Sequence, residues 1–504
     1  MMQRYGRWVV LGIVSSALML VVMDMTVLYT ALPSLTHDLK ASASQKLWIM
    51  NAYPLVVAGL LPGLGTLGDH LGHKRMFVGG LMVFGVASLF AAFSPVPESL
   101  IAARVLLAVG AAMMMPATLS IIRVTFTDEK ERAMAFGIWG AVASGGAAFG
   151  PVVGGVLLEY FWWGSVFLIN VPVVIAALVT GVLLLPEGKK QKGRTWDLVG
   201  SVQVMVGLVG LAYAVKEIAR RDSSWVIALA AAITGVIGMV VFVRRQTRSR
   251  VPLIDFSLFR NRPFSMGVIV ALVMSVAMVG VELVFSQRLQ LVLQLSPLKA
   301  ALLLIPLPLA AFVTGPLSGW LVARFGMERV VWMALMAACA GLLGLLLFKD
   351  ASRVYQGISL VFLGMGTGAG MTAASNAIMS NAPAERSGMA ASVEEVSYEL
   401  GGAIGIALMG SLLSIMYTVS FVVPESANLP AVVRDSLDEA LLVAEGLGPQ
   451  AAAELFRLAS AAFEKAYAVV LSTAFVIVLA TALAFRLSGH GDASSSFDMR
   501  ERVH

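Results

Sequence analysis

The sequence predicts an all-α polytopic membrane protein with fourteen transmembrane helices, and three observations support this fold class. Hydrophobic residues make up 58% and charged residues 13% of the 504 residues, with a mean hydropathy of +0.85, whereas soluble domains carry about 25% charged residues. Fourteen apolar stretches divide the chain, and a helix needs about 20 apolar residues to cross a bilayer. The stretches are evenly apolar, whereas the strands of a barrel alternate, so we expect helices.

The predicted spans follow one another with short polar segments between them. They cover residues 8–30, 47–67, 76–94, 98–123, 133–157, 164–186, 197–216, 224–243, 264–287, 298–322, 329–348, 354–380, 390–420 and 466–486. The first stretch is longer than the apolar core of a signal peptide, which has about 7 to 15 residues. We therefore interpret it as a retained span.

The distribution of basic residues indicates the orientation. With the N-terminus placed in the cytoplasm, the densest basic groups fall on the cytoplasmic side, as the positive-inside rule requires. These groups are Lys189, Lys190, Lys192 and Arg194, followed by Arg244, Arg245, Arg248, Arg250, Arg260 and Arg262. Both termini are therefore expected in the cytoplasm, and the net charge of +6 is explained without a nucleic-acid partner.

An internal repeat predicts two bundles. At an offset of about 254 residues, the segment 62–72 (PGLGTLGDHLG) aligns with 316–326 (PLSGWLVARFG), and a proline, a leucine and two glycines coincide. Repeated bundles are a feature of secondary transporters, whose halves rock about a central site. We expect a six-helix bundle at 1–186, two inserted helices with linkers at 187–262, a second six-helix bundle at 263–488 and a cytoplasmic tail at 489–504.

One large polar excursion, residues 421–465, lies between spans 13 and 14. It contains two helical patterns, each opening near a proline, with glycines between them as stop signals. We expect an external helical hairpin. Two roles stay open for it: a lid over the outer vestibule, or a peripheral element that packs on the bundle without gating it.

Charged residues inside the spans are the main functional candidates, because burial of a charge in a membrane is costly. Asp24 lies in the first span, and Arg104 in the fourth span needs an anionic partner, for which Asp24 is the first choice. Desolvation and the neighbouring charge would together set when Asp24 binds a proton. The single cysteine, Cys339, excludes an internal disulfide and is expected to be a small buried side chain.

Span 13 carries a second acidic set. Glu395 and Glu399 are four residues apart and therefore share a helical face, which suits a proton or a lipophilic cation; a salt bridge at the helix end is the alternative. Glu394 is expected to be solvated near the cytoplasmic mouth. Glu282, close to the outer end of span 9, is a candidate substrate contact or an ordinary solvated acid.

Aromatic and methionine side chains are candidates for an adaptable wall around an organic cation. They are Trp48, Tyr53, Met113, Met114, Met115 and Trp139. For each of them, plain helix packing is the alternative.

The segment GTLGDHLGHKR (65–75) is the strongest local motif. It resembles the helix 2 to 3 loop of the major facilitator superfamily, which has the form G-x-L-x-D-x-x-G-x-K/R-R. The resemblance implies that Gly65, Asp69, Gly72 and Arg75 take part in the switch between inward and outward states. His70 and His73 replace arginines that the family often has, which changes the local salt bridges.

Further strings narrow the resemblance. GGAAFGPVVGG (145–155) is similar to the antiporter signature of this superfamily, which implies a packing and kinking role for Gly146, Gly150, Pro151 and Gly154. The strings RVLLAVG (104–110), DMTVLYTALP (24–33), FLINVP (167–172) and PLIDFSLFRNRPF (252–264) also match. Together they resemble the fourteen-helix drug:proton antiporters that export methyl viologen and quaternary ammonium compounds, although that subfamily usually has Asn or a similar residue where Tyr29 or Thr30 stands here.

The resemblance implies the major facilitator fold, with two six-helix bundles plus two inserted helices, in a bacterial inner membrane. It implies proton-driven efflux of lipophilic monocations and dications. Asp24, Arg104 and Glu399 are then expected to couple protons. Asp24, Glu395, Glu399, Glu282 and the aromatic and methionine side chains are expected to contact the substrate.

Other properties follow from what the sequence contains. The expected partners are organic cations, protons and membrane lipids, and the expected state is a monomer. No phosphate-binding G-x-x-x-x-G-K-[ST] motif, metal-ligand cluster or nucleophile triad is present in the sequence, so we expect no cofactor and no enzymatic activity. Two rival functions remain: proton-coupled export of an endogenous metabolite or lipid precursor, and passive facilitation.

Overall fold

The computed structural model describes residues 2–41, 43–187, 197–218, 224–249, 252–295, 297–422, 430–434 and 436–489, and every regular element in these ranges is a helix. The helices are α1 (Met2–Asp38), α2 (Ala43–Leu71), α3 (His73–Ala92), α4 (Pro97–Thr125), α5 (Glu129–Tyr160), α6 (Ser165–Leu168), α7 (Asn170–Leu184), α8 (Leu198–Ile218), α9 (Trp225–Arg248), α10 (Arg262–Gln287), α11 (Pro297–Leu304), α12 (Pro306–Phe325), α13 (Met327–Leu347), α14 (Arg353–Asn381), α15 (Ser387–Ser420), α16 (Leu437–Glu445) and α17 (Pro449–Gly489). The basic group at 189–194 and the tail after residue 489 lie outside the described residues.

The predicted all-α membrane architecture is confirmed. Each predicted span falls on one helix or on two consecutive helices, α6 with α7 and α11 with α12. Within the described residues, twelve helical segments are long and apolar enough to cross a membrane, and thirteen if the bent helix α5 is counted. The apolar part of α8, Leu198–Ala214, is shorter. The count of fourteen therefore stays a prediction.

Packing repeats between the two halves of the chain. In the first half α3 packs on α4, α2 on α4 and α1 on α5; in the second half α13 packs on α14, α12 on α14 and α10 on α15. Gly72 and Gly326, which the repeat alignment pairs, have φ angles of +97° and +83° at the α2–α3 and α12–α13 turns. Such angles favour glycine. Packing and turn geometry thus both support the repeat.

Glycines allow close approach of helices within each half. A Cβ atom on Gly80 of α3 would lie 2.8 Å from the carbonyl oxygen of Gly110 on α4. In the second half, a Cβ atom on Gly341 of α13 would lie 2.7 Å from the carbonyl oxygen of Ser359 on α14. Small residues at such crossings replace the hydrophobic driving force that is missing between helices in lipid.

The inserted helices α8 and α9 pack on each other, and α8 also contacts α2 and α15. Gly59 and Gly63 of α2 provide the surface for α8, since Cβ atoms there would lie 2.9 Å from side-chain atoms of Met205 and Ser201. After α9, the Leu253 amide donates a 2.5 Å hydrogen bond to Gln246. Asp255 then pairs with Arg386, just before α15. The insert therefore touches both halves.

The polar excursion contains α16, which packs on α17. The sequence suggested two hairpin helices followed by a separate last span, but the second pattern and that span form one continuous helix, α17. No glycine or proline lies between Pro449 and Gly489, so nothing interrupts the helix. Residues 423–429 and 435 of the excursion lie outside the described part of the chain.

A buried arginine fixes α17 to its neighbours. Arg288, at the end of α10, pairs with Glu464 of α17 at 2.6 Å. It also donates to the Lys349 carbonyl oxygen at 2.8 Å, and its guanidinium lies 5.2 Å from the centre of the Tyr467 ring. Because the pair is largely buried and Arg288 also contacts Lys349 and Tyr467, it holds α17 against α10.

The α13–α14 crossing gives a test of the glycine packing. We expect Gly341→Val to lower the thermal unfolding midpoint in detergent, because the added atoms meet Ser359 and Leu363 backbone and overpacking costs about 1–3 kcal/mol. Gly357→Val on α14 is the matched control, since nothing lies within 4 Å of a Cβ atom there. Equal midpoints for the two variants would contradict the packing.

Candidate functional site

The two halves meet closely at one end of the bundle. We call it the basic end, defined by the α2–α3 turn at Gly72 and the α12–α13 turn at Gly326; the opposite end, which carries α16, is the hairpin end. At the basic end Gly65 of α2 lies against Gly388 of α15. A Cβ atom added to Gly65 would lie 2.5 Å from the Gly388 carbonyl oxygen. On the pseudo-symmetric side Gly137 of α5 touches Gly315 of α12. The basic end is closed.

Asp69 joins the halves at this end. Its carboxylate accepts hydrogen bonds from the backbone amides of Gly388 at 2.9 Å and Met389 at 3.2 Å, in the first turn of α15. A carboxylate at a helix N-terminus satisfies free amides and opposes the helix dipole. His73 lies nearby, 3.2 Å from Ser387 and 3.5 Å from Asp69. Arg75, the remaining residue of the predicted switch motif, is exposed.

Two arginines add contacts that sequence reasoning missed. Arg123, in the last turn of α4, donates to the carbonyl oxygen of Ala382 after α14. Arg132 of α5 lies 3.3 Å from the hydroxyl of Ser380. Their position at the ends of long apolar spans was the available signal, but their partners are more than 240 residues away in sequence. Both contacts reinforce the closed basic end.

The glycine string of α5 packs against α1 beside Asp24. A Cβ atom on Gly146 would lie 3.3 Å from the Met19 carbonyl oxygen, and one on Gly150 would lie 3.3 Å from the Met23 carbonyl oxygen and collide with Thr26. Gly154 is buried. The segments Glu129–Ala147 and Val152–Tyr160 meet at 41°. Pro151 lies in this break, and a proline inside a helix removes a backbone hydrogen bond.

Asp24 and Arg104 form a buried ion pair. Arg104 Nη1 lies 2.5 Å from Asp24 Oδ2, and the two residues are only 1% and 3% exposed. The Arg104 guanidinium also lies 4.6 Å from the centre of the Tyr53 ring, within the range of a cation–π contact. The sequence predicted this pairing from the cost of two isolated charges. The pair is held by helices of the first half only.

Asn170 completes the surroundings of Asp24. Its side-chain amide donates to Asp24 Oδ1 at 3.1 Å and lies 3.3 Å from the Ser88 hydroxyl. Asn170 is 2% exposed, so both carboxylate oxygens of Asp24 have buried polar partners. Sequence reasoning noted the string FLINVP but assigned no role to its asparagine. A single amide at the start of an apolar helix was the signal that could have identified it.

The acids of α15 face the second half and the interface. Glu394 is completely buried, and its Oε1 atom accepts from the hydroxyls of Ser375 and, at 3.1 Å, Tyr398. The expectation that Glu394 is solvated is therefore wrong. The reason is the closed basic end: α14 supplies Ser375, and Gly65 of α2 lies against Ser392, so this turn of α15 is covered on two sides.

Glu395 and Glu399 lie near one another and near the ion pair. Glu395 is 2% exposed and interacts electrostatically with Glu394 and Glu399. Tyr53 interacts electrostatically with Asp24, Arg104 and Glu399. Tyr53 therefore lies against the ion pair of the first half and within electrostatic range of Glu399 in the second half.

Four other candidates have different surroundings. The Trp48 ring is 43% exposed and stacks on Tyr213 of α8, with 5.8 Å between ring centres. Trp139 donates to Thr118 at 3.0 Å. Met113 lies against Gly79 and Gly80 of α3. Glu282 is exposed near the hairpin end of α10. For Trp48, Met113 and Trp139 the described contacts are those of helix packing.

Comparisons with known proteins agree with this geometry. The Major Facilitator Superfamily model matches residues 14–406. The methyl viologen resistance protein SmvA of Salmonella typhimurium is 38% identical over 490 residues, which cover 96% of this chain and 99% of the relative. The multidrug efflux pump LfrA of Mycolicibacterium smegmatis is 37% identical over 478 residues, which cover 94% and 95%.

Solved structures show the same fold at low identity. The human organic anion transporter MFSD10 has a TM-score of 0.62 and 14% identity, covering 94% of this chain and 99% of that one. The proton:xylose symporter XylE has a TM-score of 0.60 and 11% identity, covering 95% and 96%. From the family match and the extent of these similarities, we conclude that the chain is a transporter, not an enzyme, and belongs to the major facilitator superfamily.

Proposed function

We propose that the chain is a proton-driven multidrug efflux antiporter that exports lipophilic monocations and dications by alternating access. The observation that carries this proposal is the buried pair of Asp24 and Arg104, which lies against Tyr53 and within electrostatic range of Glu399 of α15. An acid inside a membrane span is costly to keep and marks a proton or substrate pathway.

The relatives support drug export. By their names, SmvA confers resistance to methyl viologen and LfrA is a multidrug efflux pump. Methyl viologen is a dication. At 37–38% identity over nearly the whole length, we extend export of this class of compound to the present chain.

The ion pair supplies the coupling. When Asp24 binds a proton, Arg104 loses its counter-charge, and an unpaired buried charge costs several kcal/mol. The protonated state therefore favours a different arrangement of the helices that carry the pair. When the proton leaves, the pair re-forms. A cation near Tyr53 competes electrostatically with that proton, which links the two fluxes in opposite directions.

The substrate site is formed by the α15 acids. Glu395 and Glu399 repel each other in a buried setting, so a positively charged ligand relieves the cost of keeping both. A dication neutralises two acids and therefore gains more binding free energy than a monocation. The Tyr53 ring adds a surface for a quaternary ammonium group.

The closed basic end defines one state of the cycle. Arginines at the ends of α4, α5 and α9 lie at this end. The positive-inside rule therefore supports a cytoplasmic position for it, in the bacterial inner membrane that we propose for this chain. The described arrangement is in that case closed toward the cytoplasm. Asp69 stabilises it through the amides of α15.

The first test concerns Asp24. Asp24→Asn should lose cation transport driven by a proton gradient in proteoliposomes, because asparagine at this position cannot bind the proton that breaks the pair with Arg104. Exchange of labelled for unlabelled cation across the same membrane should continue, because it needs no proton. The double variant Asp24→Asn with Arg104→Gln removes the unpaired arginine and should behave the same way. Full gradient-driven transport by either variant would exclude Asp24 as the proton carrier.

A second test concerns substrate charge. Glu395→Gln and Glu399→Gln should each weaken binding of a bis-quaternary ammonium compound by about tenfold, which corresponds to about 1.4 kcal/mol. Binding of a monocation of similar size should weaken less, since one acid remains. Isothermal titration calorimetry measures both affinities. Glu454→Gln, with a side chain that is 53% exposed, is the control; equal losses for monocation and dication would contradict the assignment.

A third test concerns the switch. Asp69→Asn should favour opening of the basic end by about fivefold, since loss of a helix cap costs about 1 kcal/mol. Cys339 is the chain's single cysteine, so a Cys339→Ser background allows Ser392→Cys, at a buried site, to be labelled with a membrane-permeant maleimide. Labelling should be faster in Asp69→Asn.

Asp197→Asn is the matched control for that experiment. Asp197 lies at the same end of the bundle but binds Gly200 and Arg245 of the insert, so its loss should leave the labelling rate unchanged. Equal rates for Asp69→Asn and the unsubstituted background would rule out Asp69 as a lock between the halves.

A further inference from the structure

Glu394 is a buried acid that the Asp24 pair does not explain. It lies seven residues after Ser387, the first residue of α15, which places it about 10 Å from the basic end of that helix. Arg104 lies the same number of residues after Pro97, but Pro97 is at the hairpin end. The two acids Asp24 and Glu394 therefore occupy different halves of the protein and different depths.

The hydrogen bonds of Glu394 suit a neutral carboxylic acid. Both donors, Ser375 and Tyr398, converge on Oε1, whereas the buried Oε2 atom has no hydrogen-bond partner among the described residues. A carboxylic acid has one carbonyl oxygen that accepts and one hydroxyl oxygen that holds the proton. With both donors on Oε1, Oε2 is the oxygen left to hold a proton.

The charges around Glu394 point the same way. Among the described residues, the titratable groups that interact with it are Glu395 and Tyr398, both on α15, and the α14 contact, Ser375, is uncharged. Glu395 also has a buried oxygen, Oε1, with no hydrogen-bond partner in the described part of the chain. Two adjacent buried carboxylates without a neighbouring cation are too costly to keep ionised together.

The enclosure of Glu394 excludes a large ligand. Ser375 is 2% exposed, the neighbouring Ala374 and Ala391 are completely buried, and α2 covers the same turn through Gly65 and Ser392. An organic cation has no room beside Oε1, but a proton needs none. Opening of the basic end would separate α2 from α15 and expose this turn.

From this geometry we infer that Glu394 is a second proton-binding residue, which releases its proton when the basic end opens, so that each transport cycle moves one proton more than Asp24 alone carries. The inference rests on the proposed antiport. It predicts the charge balance: two protons against one dication make an electroneutral exchange, and two protons against a monocation move one net charge.

The test measures net charge per dication. Proteoliposomes with an acid interior take up a bis-quaternary dication in exchange for protons, and valinomycin with a potassium gradient sets the membrane potential. Glu394→Gln should move one more positive charge inward per dication than the unsubstituted protein. An interior-negative potential of about 100 mV should therefore raise the steady-state accumulation ratio of the variant, relative to the unsubstituted protein, by up to about 50-fold.

Controls separate the possible outcomes. Glu328→Gln changes an exposed acid and should show the same potential dependence as the unsubstituted protein. Glu394→Asp keeps a carboxyl group and should also show the potential dependence of the unsubstituted protein. The same potential dependence for Glu394→Gln and the unsubstituted protein overturns the inference. Absence of any gradient-driven uptake by the unsubstituted protein would instead contradict the proposed function.

A spectroscopic readout covers the case in which Glu394→Gln transports nothing. In the infrared spectrum of the purified protein, a protonated carboxyl group has a carbonyl stretching band that ionised carboxylates lack. The unsubstituted protein at neutral pH should show a band that is missing from Glu394→Gln and present in Glu328→Gln. Identical bands in all three proteins would overturn the inference.

Discussion

The buried pair of Asp24 and Arg104 is the interaction on which the rest of the structure depends. Neither charge is tolerable alone in an apolar bundle, since breaking a buried pair leaves an uncompensated charge. The protein therefore surrounds both partners: Asn170 binds the free carboxylate oxygen, and Tyr53 covers the guanidinium. The glycine face of α5 lets α1 lie close behind Asp24. A proton at this position changes the charge balance that all these contacts satisfy, which makes the pair suited to drive a rearrangement.

The closed basic end is the second constraint, and it explains why the acids of α15 behave differently from Asp24. Backbone contacts between glycines bring α2 onto α15 and α5 onto α12, and Asp69 seals the first of these contacts. Closure buries Glu394 and Glu395, and among the described residues it brings no cation beside them. In the first half, Asp24 is thus stabilised by its ion pair with Arg104. In the second half, Glu394 and Glu395 are buried by the packing of neighbouring helices.

Much of the fold could be predicted from the sequence, because apolar length and glycine position are local properties. The spans, the repeat around Gly72 and Gly326, and the pairing of Arg104 with Asp24 all follow from hydropathy and from the cost of isolated charge. The continuity of α17 was harder to predict, because its polar N-terminal part and its apolar C-terminal part have the compositions of two separate elements. The burial of Glu394 was missed because it depends on closure between helices distant in the chain. Asn170 was missed because one amide has meaning only beside the acid it contacts.

The most direct test of the central claim is calorimetry of cation binding in buffers that differ in protonation enthalpy. The slope of the observed enthalpy against buffer enthalpy gives the number of protons released for each cation bound. If cations and protons compete for the same buried acids, a bis-quaternary compound will release protons at neutral pH, and Asp24→Asn will release fewer. A slope of zero for the unsubstituted protein, with the compound clearly bound, would contradict the account.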